Sequence, residues 1–229
     1  MSFRVFAVIG VLLALGGCVA PPQLPVPLAA TAVGGAAGKV GVALNIVEKA
    51  DTYFPGADCL LCYGLASAAN STLTAYVVKQ PIDDVVQFQA DVVTALGKKQ
   101  TSVVALPRTW KIDTYPKLSS TQPNAAVYDF SALKKTDGLD RLLVINVTSL
   151  GVERTYASYI PTSEPKAFVL GSAYMVNLTS NQYEWFEPIA VRRAADGKWD
   201  EPPNFPGLTN ALVQAIESAR TLILKPFAK

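Results

Sequence analysis

Cys59 and Cys62, spaced as Cys-Leu-Leu-Cys, are the side chains of this 229-residue chain best suited to chemistry. In an oxidising compartment such a pair closes a small structural disulfide. Buried away from oxidants, it stays as two free thiols. At the start of a helix that follows a strand, with a lowered thiolate pKa, it becomes a redox motif. Apolar Leu60 and Leu61 between the thiols, and no cation close in sequence, favour the structural reading, but all three remain open. A metal centre would need two further Cys or His ligands, and the chain has no histidine.

That absence excludes Ser-His-Asp and Cys-His catalysis. Carboxylates are the remaining acid/base candidates. Glu184 and Glu187 flank Trp185 and Phe186, a pairing that suits a glycan hydrolase, yet strand residues an odd number apart point to opposite faces. Asp83 and Asp84 are adjacent but sit where a helix N-terminus wants negative charge. The expected function is therefore non-enzymatic, with a carboxylate-dependent cell-wall glycan enzyme as the alternative, and no cofactor is implied. Tyr156, Tyr159, Tyr183, Trp185 and Trp199 crowd the second half of the chain. Either they pack a core, or they form an exposed patch for a protein or glycan partner, since Tyr and Trp dominate binding hot spots.

These residues must be positioned by a limited set of elements. Thr72–Val78 reads as a strand through its β-branched and aromatic content. Pro81, Asp83 and Asp84 open a helix whose Val85, Phe88, Val92, Ala95 and Leu96 recur at helical spacing, with Gly97 as its stop. A strand follows at Ser102–Leu106, then a polar, proline-containing connection from Pro107 to Asn124 that crosses one edge of the domain. Tyr128–Lys135 suits a short helix. Arg141–Val147 is the clearest strand, apolar enough to be buried on both faces. After the loop 157–166, Ala167–Leu178 and Tyr183–Val191 return as its partners, the last interrupted at Pro188. Leu208, Leu212, Ala215, Ala219, Leu222 and Ile223 make an amphipathic C-terminal helix.

The order β-α-β-α-β-β-β-α predicts an α/β (α+β) two-layer sandwich: a mixed sheet with a C-terminal three-stranded antiparallel meander and helices on one face. Its last hairpin, Val176 to Trp185, resembles one in envelope accessory lipoproteins, the group of the penicillin-binding-protein activator LpoB, the curli-secretion lipoprotein and the N-terminal domain of TolB. That likeness concerns element order and one loose hairpin, and it transfers no functional residue.

The N-terminus carries a second resemblance. Arg4, the apolar run Val5–Leu15 and the small residues after it have the layout of an export signal. The apolar run is too short to span a bilayer, which takes about 20 residues. Leu15-Gly16-Gly17-Cys18 resembles the lipobox of bacterial lipoproteins. The resemblance implies cleavage before Cys18, lipid on its thiol and amine, and, because Val19 rather than Asp follows, sorting to the periplasmic face of the outer membrane. Three acyl chains anchor a protein effectively permanently.

The expected organisation is a signal peptide at 1–17, an anchor with a Pro-rich tether and an Ala/Gly-rich linker at 18–57, and one globular domain at 58–229. Ala29–Ala50 reads as a loose or weakly helical linker; its Gly38 and Gly41 also suit close helix packing, so a self-associating homo-oligomer is the competing structural reading. With 20 basic against 18 acidic residues and no Lys/Arg cluster, the chain has no footprint for nucleic acid. The expected partners are the membrane, through the N-terminal lipid, and an envelope protein.

Overall fold

The computed structural model describes residues 22–228; the expected export signal at 1–17 and the expected lipidation site Cys18 lie outside the described residues. The fold is a mixed α/β two-layer sandwich. Its strands are β1 (Lys39–Ile46), β2 (Asp51–Tyr53), β3 (Ser102–Ala105), β4 (Arg141–Glu153), β5 (Tyr156–Ala157), β6 (Ile160–Pro161), β7 (Lys166–Asn177) and β8 (Gln182–Ala194). Its helices are α1 (Leu60–Ala69), α2 (Ser71–Val77), α3 (Asp83–Val86), α4 (Phe88–Lys98), α5 (Ala132–Thr136) and α6 (Pro206–Leu224). The main sheet runs β3-β1-β4-β7-β8, with β2 also pairing β4, while β5 and β6 form a separate small hairpin.

β4 organises the sheet. Its first half pairs in parallel with β1, its last three residues pair in parallel with β2, and its whole length pairs antiparallel with β7. Leu143, Ile145 and Val147 face one side, where Phe88, Val92 and Leu96 of α4 and Leu212, Ile216 and Ile223 of α6 cover them. Leu142 and Val144 face the other, against Tyr174, Val176, Phe130 and Leu133. The predicted antiparallel meander is present as β4-β7-β8. Helices α4 and α6 share one face, as expected.

Three local expectations are corrected. Residues 39–46 were expected to be linker and form an inner strand instead, with Val40, Val42, Ala43 and Leu44 buried. A strand covered on both faces needs no alternation, and Ala and Gly are poor strand formers, so this one does not look like a strand. Gly41 is small because the Leu139 side chain occupies the space a Cβ would take, 2.6 Å away. Buried in the sheet, this segment is not free to pack helices of a second copy. The predicted strand at 72–78 is helix α2, whose Leu73 and Val77 face the core one turn apart. The connection after β3 covers the second sheet face with Trp110, Ala126 and Phe130 rather than skirting an edge.

The Pro-rich segment also docks. Val26 bridges the outer side of β8 at Phe186, with N–H···O contacts of 2.9 and 3.0 Å, and the Ala29 N–H donates to the Glu184 carbonyl at 2.9 Å. Pro188 does not interrupt β8. On this outer strand it shares Phe186's outward parity, where a missing N–H removes no ladder bond.

One ion pair ties these pieces together. Arg141 Nε donates to Glu184 Oε2 at 2.6 Å and Nη2 to Oε1 at 3.2 Å, while Nη1 donates to the Ala37 carbonyl ahead of β1. Asn177 of β7 also donates to Glu184, at 3.1 Å. Removing one partner of a buried pair strands a charge, so Arg141→Ala should cost about 3–5 kcal/mol in denaturant unfolding. The apolar double variant Arg141→Met/Glu184→Leu should recover most of that loss; an equal loss in both would show that the charge pairing is not the reason.

Candidate functional site

Of the two readings of the aromatics, core packing describes Tyr156, Tyr183 and Trp185, which are buried in three separate clusters, and the five do not form one exposed surface. Trp185 is buried, 2% exposed, on the helical face against Phe227. Tyr183 is buried on the opposite face, edge-on to Tyr174. Their matching parity in sequence suggests a shared face, but a bulge at Glu184 shifts the register: Met175 pairs with Trp185 and Val176 with Tyr183. Trp199 stacks on Phe205 beneath the Arg154 guanidinium. The carboxylates also part company. Glu184 is taken up by Arg141 and Asn177, whereas Glu187 lines a shallow cleft of about 490 Å³ beneath Pro25–Leu28.

Tyr156 and Tyr159 belong to a different place, the lobe past the ends of β2 and β4. After β2 the chain turns at Pro55-Gly56. Gly56 is required there, because its φ is +86° and a Cβ would lie 1.9 Å from the Tyr156 carbonyl. The Tyr156 N–H donates to the Pro55 carbonyl at 2.7 Å and the Ser158 N–H to the Gly56 carbonyl at 3.1 Å, fixing the β5–β6 hairpin beside the turn. Tyr156 is buried with Phe54, Ala57, Cys62 and Ala66. Its hydroxyl accepts from Asn70 Nδ2 at 2.6 Å, and Asn70 Oδ1 accepts from Arg154 at 3.3 Å. Asn70, buried between α1 and α2, therefore locks helix, hairpin and sheet end together.

Helix α1 is packed inside out. Its buried residues are the small Cys62 and Ala66, whereas Leu60 is 92% and Leu61 71% exposed, with Tyr63 and Leu65 also outward. On the adjoining hairpin Tyr159 is 62% exposed and Ile160 stands beside it. Scattered exposed apolar residues are ordinary; here several share one lobe whose backbone is held by Asn70 and Tyr156, which makes it the candidate surface. Of the five predicted aromatics only Tyr159 contributes to it. Leu60, Leu61, Tyr63, Leu65 and Ile160 were missed. Their signal was faint: small residues at 62 and 66 with large ones between them, the reverse of a core-facing helix.

Cys59 and Cys62 are joined by a disulfide, with their Cα atoms 4.9 Å apart. Cys59 is the exposed N-cap of α1, and its Sγ accepts the Cys62 N–H at 2.9 Å. Cys62 is buried. Among the described residues no cluster of three or more Cys, Asp or Glu has the layout of a metal site, and no helix is long and apolar enough to cross a membrane.

No protein-family model matches the chain, and neither does any curated protein. Among solved structures it is similar to a PelC dodecamer subunit from Paraburkholderia phytofirmans (10% identity, covering 90% of this chain and 95% of that one, TM-score 0.33). It is also similar to lipoprotein GNA1162 from Neisseria meningitidis (15% identity, 79% and 96% covered, TM-score 0.28). A third is the hypothetical protein CT253 from Chlamydia trachomatis (6% identity, 82% and 98% covered, TM-score 0.30). Likenesses of this size leave function to be argued from the chain's own residues.

Burial pushes the Tyr174 phenol well above the ordinary value of 10.0, with Tyr183 and Tyr128 adding to it; burial also raises Tyr183, against a smaller opposing hydrogen bond from Val127. Both phenols stay neutral in the folded chain where the unfolded chain already ionises. Their stabilising effect is full below pH 10 and is lost as pH rises above it. Unfolding free energy measured from pH 8 to 11 should fall above pH 10, and Tyr174→Phe should flatten that fall. An unchanged slope in the variant would remove Tyr174 from the explanation.

Asn70→Leu tests the lobe itself. It leaves Arg154 and the Tyr156 hydroxyl short of a partner and should cost about 1–3 kcal/mol in denaturant unfolding. Hydrogen exchange of the β5–β6 amides should rise more than that of β4; uniform protection would show that Asn70 does not hold the hairpin.

Proposed function

We propose that this protein is a non-enzymatic accessory module of the bacterial envelope, anchored by lipid at Cys18 to the periplasmic face of the outer membrane, and that it holds a protein partner on the α1/hairpin lobe. The observation that carries the reading is the outward apolar set Leu60, Leu61, Leu65, Tyr159 and Ile160 on a backbone fixed by Asn70 and Tyr156. Such a surface is preorganised, so little ordering cost offsets the gain from burying it. Covering one Leu side chain contributes about 1.5–3 kcal/mol, and the exposed Tyr159 beside the leucines is of the residue type that hot spots favour. The pairing of Glu184 with Arg141 and the lack of histidine support a binding role over hydrolysis.

Two measurements test the two halves of this proposal. Cys18→Ser should release the protein from membranes or leave a longer precursor; unchanged mass and membrane retention would remove lipidation. A photo-cross-linking residue at Leu61 or Tyr159, in intact cells, should trap one recurrent envelope protein, while the same residue on α6 at exposed Val213 should not. The double variant Leu60→Asp/Leu61→Asp should weaken that capture by about tenfold or more. Equal trapping from all three positions would overturn the assignment of the lobe.

A further inference from the structure

The same lobe holds an exposed disulfide, and we infer that Cys59–Cys62 is a thiol–disulfide exchange site that oxidises dithiols in cysteine-bearing polypeptide segments. This rests on the lobe facing a protein partner, as proposed above, but adds a reaction to it.

Four observations converge. First, the pair closes a loop within a single helical turn, ending where it began, at the start of α1. A cross-link that short restrains the unfolded chain least, and it ties no distant elements together. The lobe is held instead by Asn70, Tyr156 and the backbone bonds of Pro55 and Gly56. The bond can therefore open without unfolding the domain. Second, the two sulfurs are unequal: Cys59 is exposed and Cys62 is buried, so an incoming thiolate reaches Cys59. Third, Cys59 is the N-cap of a ten-residue helix, and its Sγ already accepts the Cys62 N–H. The same N–H and the helix dipole stabilise negative charge on that sulfur when it leaves as a thiolate. Fourth, Leu60, Leu61 and Leu65 stand outward around it. A helical staple has no need of them, whereas an extended apolar segment carrying the substrate thiols does.

The reaction balances within the two partners. One substrate thiolate attacks Cys59 Sγ; the new S–S bond forms as the Cys59–Cys62 bond breaks, and the electron pair leaves on Cys62, which takes up a proton. The second substrate thiolate then attacks the substrate sulfur of the mixed disulfide, and Cys59 leaves with its electron pair. The substrate dithiol is oxidised by two electrons to a disulfide, Cys59–Cys62 is reduced to two thiols, and the substrate's two protons pass to that pair.

The test uses the full chain carrying Cys18→Ser, in which Cys59 and Cys62 are the only cysteines. The native protein is incubated with reduced glutathione, and free thiols are counted by alkylation and mass. The pair should open at least about tenfold faster than in the urea-unfolded chain, with far-UV dichroism unchanged throughout. In the further variant Cys62→Ser, glutathione disulfide should load one glutathione onto Cys59. Opening no faster than in the unfolded chain, or only together with loss of native dichroism, would make the bond a structural staple and overturn the inference. Capture of the same partner from Leu61 in a Cys59→Ser/Cys62→Ser variant separates the two claims: retained capture with lost exchange leaves partner binding standing, while lost capture from every lobe position removes that as well.

Discussion

β1 and β4 run side by side in the same direction for seven residues, and every layer of the domain is arranged to keep that pair dry. A parallel pair cannot be closed by a tight turn, so the chain between β1 and β4 must leave the sheet and return. It does so twice. The first excursion lays α4 on one face and comes back as β3 on the far side of β1. The second, from Leu106 to Leu139, covers the opposite face with Trp110, Phe130 and Leu133 before β4 begins. The antiparallel β7 and β8 and helix α6 then complete the sandwich. Both faces of β4 are apolar because both are roofed.

How much of this was legible follows from the same constraint. The antiparallel part was readable because turn residues and alternation fix strand ends: Thr179 to Gln182 marks a turn, and Tyr174 and Val176 share a face. The C-terminal helix was readable from its period. β1 was not, because Val-Gly-Val-Ala-Leu buried on both sides has no period and is built from residues that also make flexible linkers. Thr72–Val78 misled in the opposite direction: its β-branched residues suit a strand, but Leu73 and Val77 pack one helical turn apart. Propensity yielded to tertiary contact in both places.

The candidate site was harder still. Its two cysteines could be picked out, but their unequal exposure depends on which side of α1 meets Phe54 and Tyr156. For Tyr183 and Trp185 the core reading holds, and a shared exposed face is excluded for a single-residue reason. The bulge at Glu184 sends Tyr183 and Trp185 to opposite faces, and no feature of that stretch other than the carboxylate's fit to Arg141 announces it. The outward apolar residues of the lobe are mostly aliphatic, and the aromatic set read from the sequence reached Tyr159 but passed over Tyr63.

The docking of Val26 on β8 gives the fold a property of its own. A sheet has two borders, each a row of unpaired backbone groups that could recruit another chain. Here β3 is only four residues long, and the β8 border is partly covered by the chain's own proline-rich N-terminal segment. Its prolines have no N–H to offer onward. The proline-rich segment is thus the selvedge of the sheet, closing part of the border at which another chain could otherwise add a strand.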